Sequence, residues 1–276
     1  MLVPNEINLF DSHCHLDDRT FFKDLEGTLQ RARDAGVHEI MTVGVDLESS
    51  TRAVELAETY SGVYASVGVH PHDAKSCDEI VISELSHLAK KKEVRAWGEV
   101  GLDFNRMFSP RKDQEKWFVR QIQAADKLDL PLIFHERDSQ GRFLEILKSH
   151  AHPDRKGVVH CFSGNAADLS AYLDLGLYIG VTGIVTIKTR GAGLRELVPE
   201  IPRNRLLIET DAPYLTPAPQ KNKTRRNEPA FVKSVLLKLA EVRQEDPEVL
   251  AKATTANARR LFNIPLRCIN NMAVTL

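Results

Sequence analysis

The chain has 276 residues, of which 42% are hydrophobic and 27% are charged, and its formal net charge is −1. This composition excludes a disordered chain and a uniformly basic nucleic-acid coat protein, and the length is sufficient for a large buried core. The longest mostly apolar stretch, residues 178–187, is too short to span a bilayer, so we expect no membrane association. Four cysteines without a CxxC pair argue against a disulfide framework, so we expect a cytoplasmic protein.

Short segments rich in Val, Ile and Leu alternate with longer amphipathic segments along the chain. The short segments predict eight β-strands, at residues 7–14, 39–45, 64–69, 94–100, 130–134, 157–161, 177–181 and 206–210. The longer segments predict helices at residues 24–34, 49–60, 113–128, 139–150, 166–175, 228–243 and 247–262. Such alternation is typical of parallel strands that are joined by crossover helices.

Eight strand–helix units in a chain of this length predict an α/β fold, namely a single-domain (β/α)8 TIM-like barrel. A doubly wound open sheet is the alternative, but no dinucleotide-type GxGxxG follows the first predicted strand. We expect the barrel to occupy residues 1–264. Residues 265–276 have no hydrophobic period and predict a loose C-terminal tail. The sequence has no coiled-coil pattern or large apolar stripe, so we expect a monomer.

Most of the ten histidines lie where predicted strands end, and catalytic residues of parallel barrels lie at that end of the strands. His13 and His15 are two residues apart, so both side chains point to one side of the first strand. An isolated HxH pattern is a weak indication of a metal site, but the ends of four further strands also carry ligand-type residues. The candidate metal ligands are His13, His15, Glu99, His135, His160 and Asp211.

Four imidazoles and two carboxylates are typical of a hydrolase site with two divalent cations, which Glu99 can bridge. Two cations can hold an electrophile and lower the pKa of a water between them, and Asp211 can accept the proton of that water. The alternative for Glu99 is an ion pair with an arginine, and for Asp211 a turn before Ala212. Imidazole ligands favour Zn, Mn, Fe or Ni over Mg. The sequence has no GxSxG and no Walker-type loop, which argues against acyl-enzyme chemistry and ATP hydrolysis.

Seven motifs follow one another in the order DSHCHLD, GVHPH, GEVGLDF, FHERD, HCFSG, ETDAPYL and RRNEP. In sequence and order they resemble the TatD family of metal-dependent hydrolases, which are often called TatD deoxyribonucleases and belong to the amidohydrolase group of barrels. The resemblance extends from residue 9 to about residue 262. It implies a TIM-like barrel with one or two metals, held by the same six residues that the strand ends indicate. It also implies nuclease activity, often 3′-to-5′ on single-stranded DNA, while some relatives act on RNA or on aminoacyl-tRNA esters.

Three further residues near the predicted strand ends are candidates for the site. The resemblance implies a position near the substrate for His70, which we include with Glu99 and Asp211 among the catalytic candidates. Asp103 can orient a ligand imidazole or close a turn. Glu209 lies two residues before Asp211, so it faces the same side and is a candidate supporting residue.

The loop after the eighth predicted strand is basic, with four Lys or Arg residues among residues 221–226. In a barrel this loop lies on the catalytic face, so we expect Arg225 and Arg226 to bind substrate phosphates. A solvated run of charges is the alternative. Phe108 follows the fourth predicted strand and either stacks on a base or packs at the rim.

These observations predict a metal-dependent hydrolase that cleaves phosphodiester bonds of nucleic acid, with single-stranded DNA as substrate and 3′-5′ exodeoxyribonuclease action. The first alternative is an amide or ester hydrolase, such as a D-aminoacyl-tRNA deacylase. The second is a metal-holding interaction protein without turnover, which an open catalytic site disfavours. The near-neutral net charge does not decide between a nucleic acid and a small ester.

Overall fold

The computed structural model describes residues 8–265, which contain one sheet of eight parallel strands paired in chain order. The strands are Leu9–Cys14 (β1), Val37–Val43 (β2), Val63–Val67 (β3), Val94–Asp103 (β4), Leu132–Arg137 (β5), Gly157–Val159 (β6), Tyr178–Val181 (β7) and Leu206–Ile208 (β8). The segment after β8 returns to β1: Cys14 pairs with Ala212, and the His15 N–H donates to the Ala212 carbonyl at 2.7 Å. The sheet closes there, so the predicted TIM-like barrel is confirmed and the open sheet is excluded.

Nine α-helices of the described residues follow the strands. They are Leu25–Asp34 (α1), Leu47–Thr59 (α2), Glu79–Leu88 (α3), Arg111–Lys127 (α4), Arg142–Ser149 (α5), Ala166–Asp174 (α6), Ala192–Leu197 (α7), Val232–Arg243 (α8) and Pro247–Leu261 (α9). Helix α2 begins at a capping box, in which Asp46 accepts from the Ser49 N–H at 2.7 Å and Ser49 Oγ accepts from the Asp46 N–H at 2.9 Å. This reciprocal pair satisfies two backbone donors that a helix start leaves free.

Helix α9 covers the N-terminal end of the barrel. Phe262, directly after the helix, packs its ring 6.0 Å from that of Phe10 inside the barrel, and both are fully buried. Arg259 forms an ion pair with Glu39 of β2 at 2.7 Å, and Asn257 donates to the Leu206 carbonyl at 2.9 Å. The described residues of α9 and Phe262 therefore close the lower end of the barrel, which leaves the upper end for a ligand.

The strand boundaries differ from the predicted ones near the upper end of the barrel. Strand β4 continues to Asp103, whereas β6 ends at Val159 and β8 ends at Ile208. The latter two end early because the chain turns out of β-geometry shortly afterwards, with positive φ of 47° at Cys161 and 58° at Asp211.

The predicted set of helices lacks α3 and α7. Residue 7 and the tail from residue 266 lie outside the described residues, so the domain boundary at residue 264 stays a prediction. Within residues 8–265 no helix has the length and apolar character that crossing a membrane requires.

Candidate metal centre

The six predicted metal ligands all lie at the upper end of the barrel. His13 belongs to β1 and His15 follows it. The other four are Glu99 within β4, His135 within β5, His160 directly after β6 and Asp211 three residues after β8. The closed sheet brings these distant segments of the chain to one opening, as the position of each residue at a strand end predicted.

Two glycines aim the Glu99 side chain into the barrel. Gly98 and Gly101 have positive φ values of 153° and 150°, and a Cβ at Gly98 would lie 2.5 Å from the Ile133 carbonyl oxygen. The pairing of β4 with β5 shifts register between Trp97 and Val100, so Glu99 lies in a bulge. Because no other residue fits this close approach of two strands, the GEVG sequence has a direct structural reason.

Four donor atoms meet at a first position. His13 Nε2 lies 3.3 Å from His15 Nε2, 3.4 Å from Glu99 Oε2 and 3.7 Å from Asp211 Oδ1. His15 Nε2 lies 3.3 Å from the same Asp211 oxygen. Two imidazole nitrogens and two carboxylate oxygens at this spacing form a donor set that suits a transition-metal or zinc ion.

The second oxygen of Glu99 faces another group of residues. Glu99 Oε1 lies 2.7 Å from His135 Nδ1 and 3.5 Å from His70 Nε2. On the opposite side, His160 Nε2 lies 3.6 Å from Asp211 Oδ1, and the His160 ring stacks on that of His13 with 3.4 Å between centroids. Glu99 thus presents its two oxygens to two different sets of imidazoles.

The histidines are oriented by bonds to their second ring nitrogens. His15 Nδ1 lies 3.0 Å from the Val43 carbonyl, and His160 Nδ1 lies 2.8 Å from the fully buried Glu209 carboxylate. His135 Nε2 lies 3.3 Å from an oxygen of Asp103. An acceptor at one nitrogen places the proton there and leaves the lone pair of the other nitrogen facing the cluster, as metal-binding histidines require.

His70 is bonded in the reverse sense. The His72 N–H donates to His70 Nδ1 at 3.1 Å, so a neutral His70 carries its proton on Nε2. Burial, together with repulsion from His135, lowers the pKa of His70 to about 4, so this side chain is neutral near pH 7. Although His70, His72 and His135 lie close enough to share an ion, the proton on His70 Nε2 makes this side chain a donor rather than a ligand.

The electrostatics of the cluster favour a bound cation. Burial alone would raise the pKa of Glu99, but His70, His13 and His135 outweigh it and hold this pKa well below its usual range. Burial alone would lower the pKa of His15, but the bond to Asp211 raises it to about 9. Within residues 8–265 no Lys or Arg forms an ion pair with either carboxylate. The arginine alternative for Glu99 is therefore wrong, and positive charge must come from imidazolium or from metal.

The environment of His13 fits the same conclusion. Its Nδ1 atom is buried and has no hydrogen-bond partner among the described residues. The polar contacts of this ring therefore all run through Nε2 into the cluster. Burying an imidazole with one unbonded nitrogen costs free energy unless the other nitrogen makes a strong interaction. Coordination of a metal ion is such an interaction.

The model of the family described as TatD related DNase matches residues 10–263. The chain belongs to this TatD family. A Klebsiella pneumoniae (strain 342) relative, named 3′-5′ ssDNA/RNA exonuclease TatD, is 43% identical over 258 residues, which cover 93% of this chain and 98% of the relative. The crystal structure of a TatD homologue from Escherichia coli K12 has a TM-score of 0.85 at 33% identity and covers 93% of this chain and 98% of that one. A TatD-family hydrolase from Entamoeba histolytica has a TM-score of 0.84 at 26% identity, with 92% and 98% covered.

The ligand cluster of this TatD-family chain lies at the base of a cavity of about 1280 Å³. Two aromatic side chains stand at its rim, Phe108 with 53% and Tyr214 with 54% of its surface exposed. Arg106, Arg137 and Arg190 also line this cavity. Carboxylates line the same cavity, among them Asp18, Asp73 and Asp138, so the opening combines partly exposed aromatic side chains with charges of both signs.

The two predicted phosphate-binding arginines lie in different environments. Arg225 is exposed and lines a smaller cavity beside the large one. Arg226 forms ion pairs with Asp24 at 2.7 Å and with Glu228 at 2.8 Å, and it also donates to the Thr20 carbonyl. The structure thus brings Arg225 near the site, whereas Arg226 is paired with the carboxylates of Asp24 and Glu228.

Sequence reasoning missed Arg190 and Tyr214 and gave Glu209 and Asp103 only as supporting candidates. Glu209 accepts from His160 and from the Cys161 N–H, and strand alternation was the signal that pointed to it. Asp103 contacts His135 and also accepts from two backbone N–H groups of the following turn, so both predicted roles are present. Arg190 carries no local signal, because it follows β7 on a segment without a recognisable motif.

Proposed function

We propose that this protein is a metal-dependent phosphodiesterase that removes nucleotides from the 3′ end of single-stranded DNA, with RNA as a second substrate. The observation that carries the proposal is the meeting of four imidazoles and two carboxylates at the base of an open cavity, where no Lys or Arg of residues 8–265 forms an ion pair with either carboxylate. The names of the curated relatives, 3′-5′ ssDNA/RNA exonuclease TatD, support the choice of substrate.

Two divalent cations fit the donor set. His13, His15 and Asp211 would hold the first, and His135 the second, with one Glu99 oxygen for each. His160 would complete the set from the side of Asp211. Bound cations supply Lewis acidity, which polarises a phosphoryl oxygen and lowers the pKa of water. The imidazole-rich set favours Zn, Mn, Fe or Ni over Mg.

Asp211 is the residue we assign to accept the proton of the attacking water. Burial alone would raise its pKa, but the bond from His15 and the nearby His160 lower this pKa below its ordinary value. The carboxylate is therefore ionised at neutral pH and ready to accept a proton. Its backbone has a φ of 58°, which turns the side chain toward the imidazoles and away from the path of β8.

His70 is assigned to the substrate. Its neutral ring presents the Nε2 proton at the cluster, 3.1 Å from His135 Nδ1 and 3.5 Å from Glu99 Oε1. A donor at this point can hold a non-bridging phosphate oxygen and so orient the reacting phosphorus. Arg225 and Arg226 were predicted as further phosphate contacts. The exposed position of Arg225 supports this role, whereas Arg226 is engaged by Asp24.

A direct assay tests the proposal. Purified protein with determined metal content is incubated with end-labelled single-stranded DNA, double-stranded DNA, RNA and an aminoacyl-tRNA, with and without added Zn²⁺, Mn²⁺ or Mg²⁺. We expect a ladder that shortens from the 3′ end of the single-stranded DNA and a slower reaction on double strands. Hydrolysis of the aminoacyl ester without cleavage of either nucleic acid would replace the nuclease proposal with the deacylase alternative. Cytoplasmic location and the monomeric state stay predictions.

A further inference from the structure

A second cavity, of about 380 Å³, adjoins the cavity of the metal centre. Arg190, from the segment after β7, lines it together with Lys221 and Arg225, from the loop after β8. Ile184 and Leu215, like Arg190, line both cavities, so the two are neighbours that share one wall. We call this smaller cavity, defined by Arg190, Lys221 and Arg225, the cationic annex.

The three cations of the annex have no anionic partner in the part of the chain that the structure describes. All three side chains are exposed, and none forms an ion pair or a side-chain hydrogen bond within residues 8–265. No Asp or Glu lines the annex. The neighbouring Arg226 contrasts with them, because Asp24 and Glu228 neutralise it. Three like charges around one concave surface attract an anion from solution.

The segments that carry these cations are held in place by their own hydrogen bonds. Arg195 donates to three backbone carbonyls of the segment that carries Arg190. Thr186 Oγ1 of that segment accepts from the Ala218 N–H at 2.8 Å, which joins it to the loop after β8. A ligand that binds here therefore does not have to order both loops first, which lowers the entropic cost of binding.

We propose that the cationic annex binds a non-scissile internucleotide phosphate of the strand whose end lies in the metal centre. This inference rests on the proposed nuclease function. Arginine forks fit phosphate oxygens in pairs, and lysine adds a compact charge. Contacts to the backbone carry no base specificity, so the annex holds strands of any sequence. It also predicts a preference for oligonucleotides over esters with one phosphate.

Kinetics on substrates of different length test this assignment. The substrates are a dinucleotide, which has only the scissile phosphate, and a tetranucleotide, which has two more. For wild type, the ratio of kcat/KM on the tetranucleotide to kcat/KM on the dinucleotide measures the benefit of the extra phosphates. We expect Lys221→Ala and Arg225→Ala each to lower this ratio about tenfold, through KM, since each removes a charge-assisted hydrogen bond. Lys233→Ala, an exposed lysine of α8 outside both cavities, is the matched control and leaves the ratio unchanged.

A change in the substrate identifies the phosphate itself. Tetranucleotides in which one non-scissile linkage is an uncharged methylphosphonate are compared in wild type and in Arg225→Ala. We expect one such position to lower the wild-type kcat/KM about tenfold and to have no effect in the variant, because the contact is already lost. The slope of log KM against log salt falls by about 0.7 for each lost contact to a single strand. A 5′-phosphorylated dinucleotide carries a terminal phosphate where the tetranucleotide has its nearest non-scissile linkage, and we expect it to regain part of the benefit in wild type and none in Arg225→Ala.

Two results would overturn the proposal. One is a ratio of wild-type size in both annex variants, and the other is a methylphosphonate effect that persists undiminished in Arg225→Ala. Failure of the nuclease function is a separate result, in which wild type cleaves neither substrate. Fluorescence anisotropy of a labelled tetranucleotide on the same variants and control would then still decide whether the annex binds phosphates.

Discussion

The two ends of the barrel interior contain different kinds of side chains, apolar at the lower end and ionisable at the upper end. The lower end is filled by an apolar layer that includes Phe10, Met41 and Ile133, and Phe262 closes it from below. The upper end holds imidazoles and carboxylates, with left-handed backbone at Cys161 and Asp211. Strands β1, β4 and β5 contribute side chains to both layers, so a single sheet carries packing residues at one end and ligand-type residues at the other. Substitutions at the two ends should therefore affect stability and catalysis separately.

The largest expected effect is at the upper end, in Asp211→Asn. We expect kcat to fall about 10²–10⁴-fold, because an amide cannot accept the proton of the attacking water. The melting temperature of the metal-free protein should stay close to that of wild type, since Asn has nearly the same shape. Single-turnover cleavage of end-labelled DNA and thermal unfolding in EDTA measure the two quantities. Wild-type cleavage by this variant would contradict the assigned role of Asp211.

The opposite pattern is expected at the lower end, in Phe262→Ala. Loss of this buried ring should lower the free energy of unfolding by about 3–5 kcal/mol, as large-to-small substitutions in cores do. Metal content and kcat, measured well below the melting temperature, should remain those of wild type. Urea denaturation and metal analysis check both statements. A large fall in kcat at full metal content would show that the two ends are coupled.

A smaller effect is expected from Glu209→Gln, next to the cluster. Glu209 orients His160 through the Nδ1 atom of that ring, so its amide analogue should weaken metal binding about 10–100-fold. Activity should then return at a higher concentration of the cation. Titration of the metal-free protein with Zn²⁺ or Mn²⁺, followed by activity, measures the shift. An irreversible loss at saturating metal would instead place Glu209 in the chemical step.

The smallest effect is expected from Arg226→Ala, at the rim. The bond from Arg226 lowers the pKa of Asp24 to about 2, so this pair stabilises the fold above pH about 4 and loses that effect as the pH falls toward 2. The pair is largely exposed, so its removal should cost about 1 kcal/mol or less. NMR titration should find the pKa of Asp24 raised but still below its usual value, because Arg31 continues to contact Asp24 at 3.1 Å. Oligonucleotide affinity should change less than in Arg225→Ala. A larger loss of affinity than in Arg225→Ala would indicate that Arg226 contacts the substrate.

Most of the barrel follows from local sequence patterns. Buried runs such as residues 94–100 and 130–134 predict parallel strands, and ligand-type residues directly after them, such as His135 and His160, predict the position of the site. What local patterns cannot supply is the partner of a side chain. Arg225 and Arg226 are adjacent, yet only the second meets Asp24, which lies about 200 positions earlier in the chain. Their different environments depend on the closure of the barrel.

The short helices and the ends of strands were hard to predict for a related reason. Strand β8 ends at Ile208 because Asp211 adopts a left-handed backbone conformation. The residue types of the ETDAP segment do not predict that conformation. Helix α7 has six residues and depends on neighbouring elements more than on its own propensity. In both cases tertiary contacts decide the local conformation.

The cover that α9 forms over the lower barrel also bears on how the chain is made. Every side chain of the metal centre has been synthesised once Asp211 leaves the ribosome, but Phe262 comes about fifty residues later. Until then the apolar residues at the lower end of the barrel stay exposed in the nascent chain, and such surfaces are bound by chaperones. We therefore expect that α9 is needed to cover this apolar end, and that truncation before Pro247 yields aggregates rather than a slower enzyme.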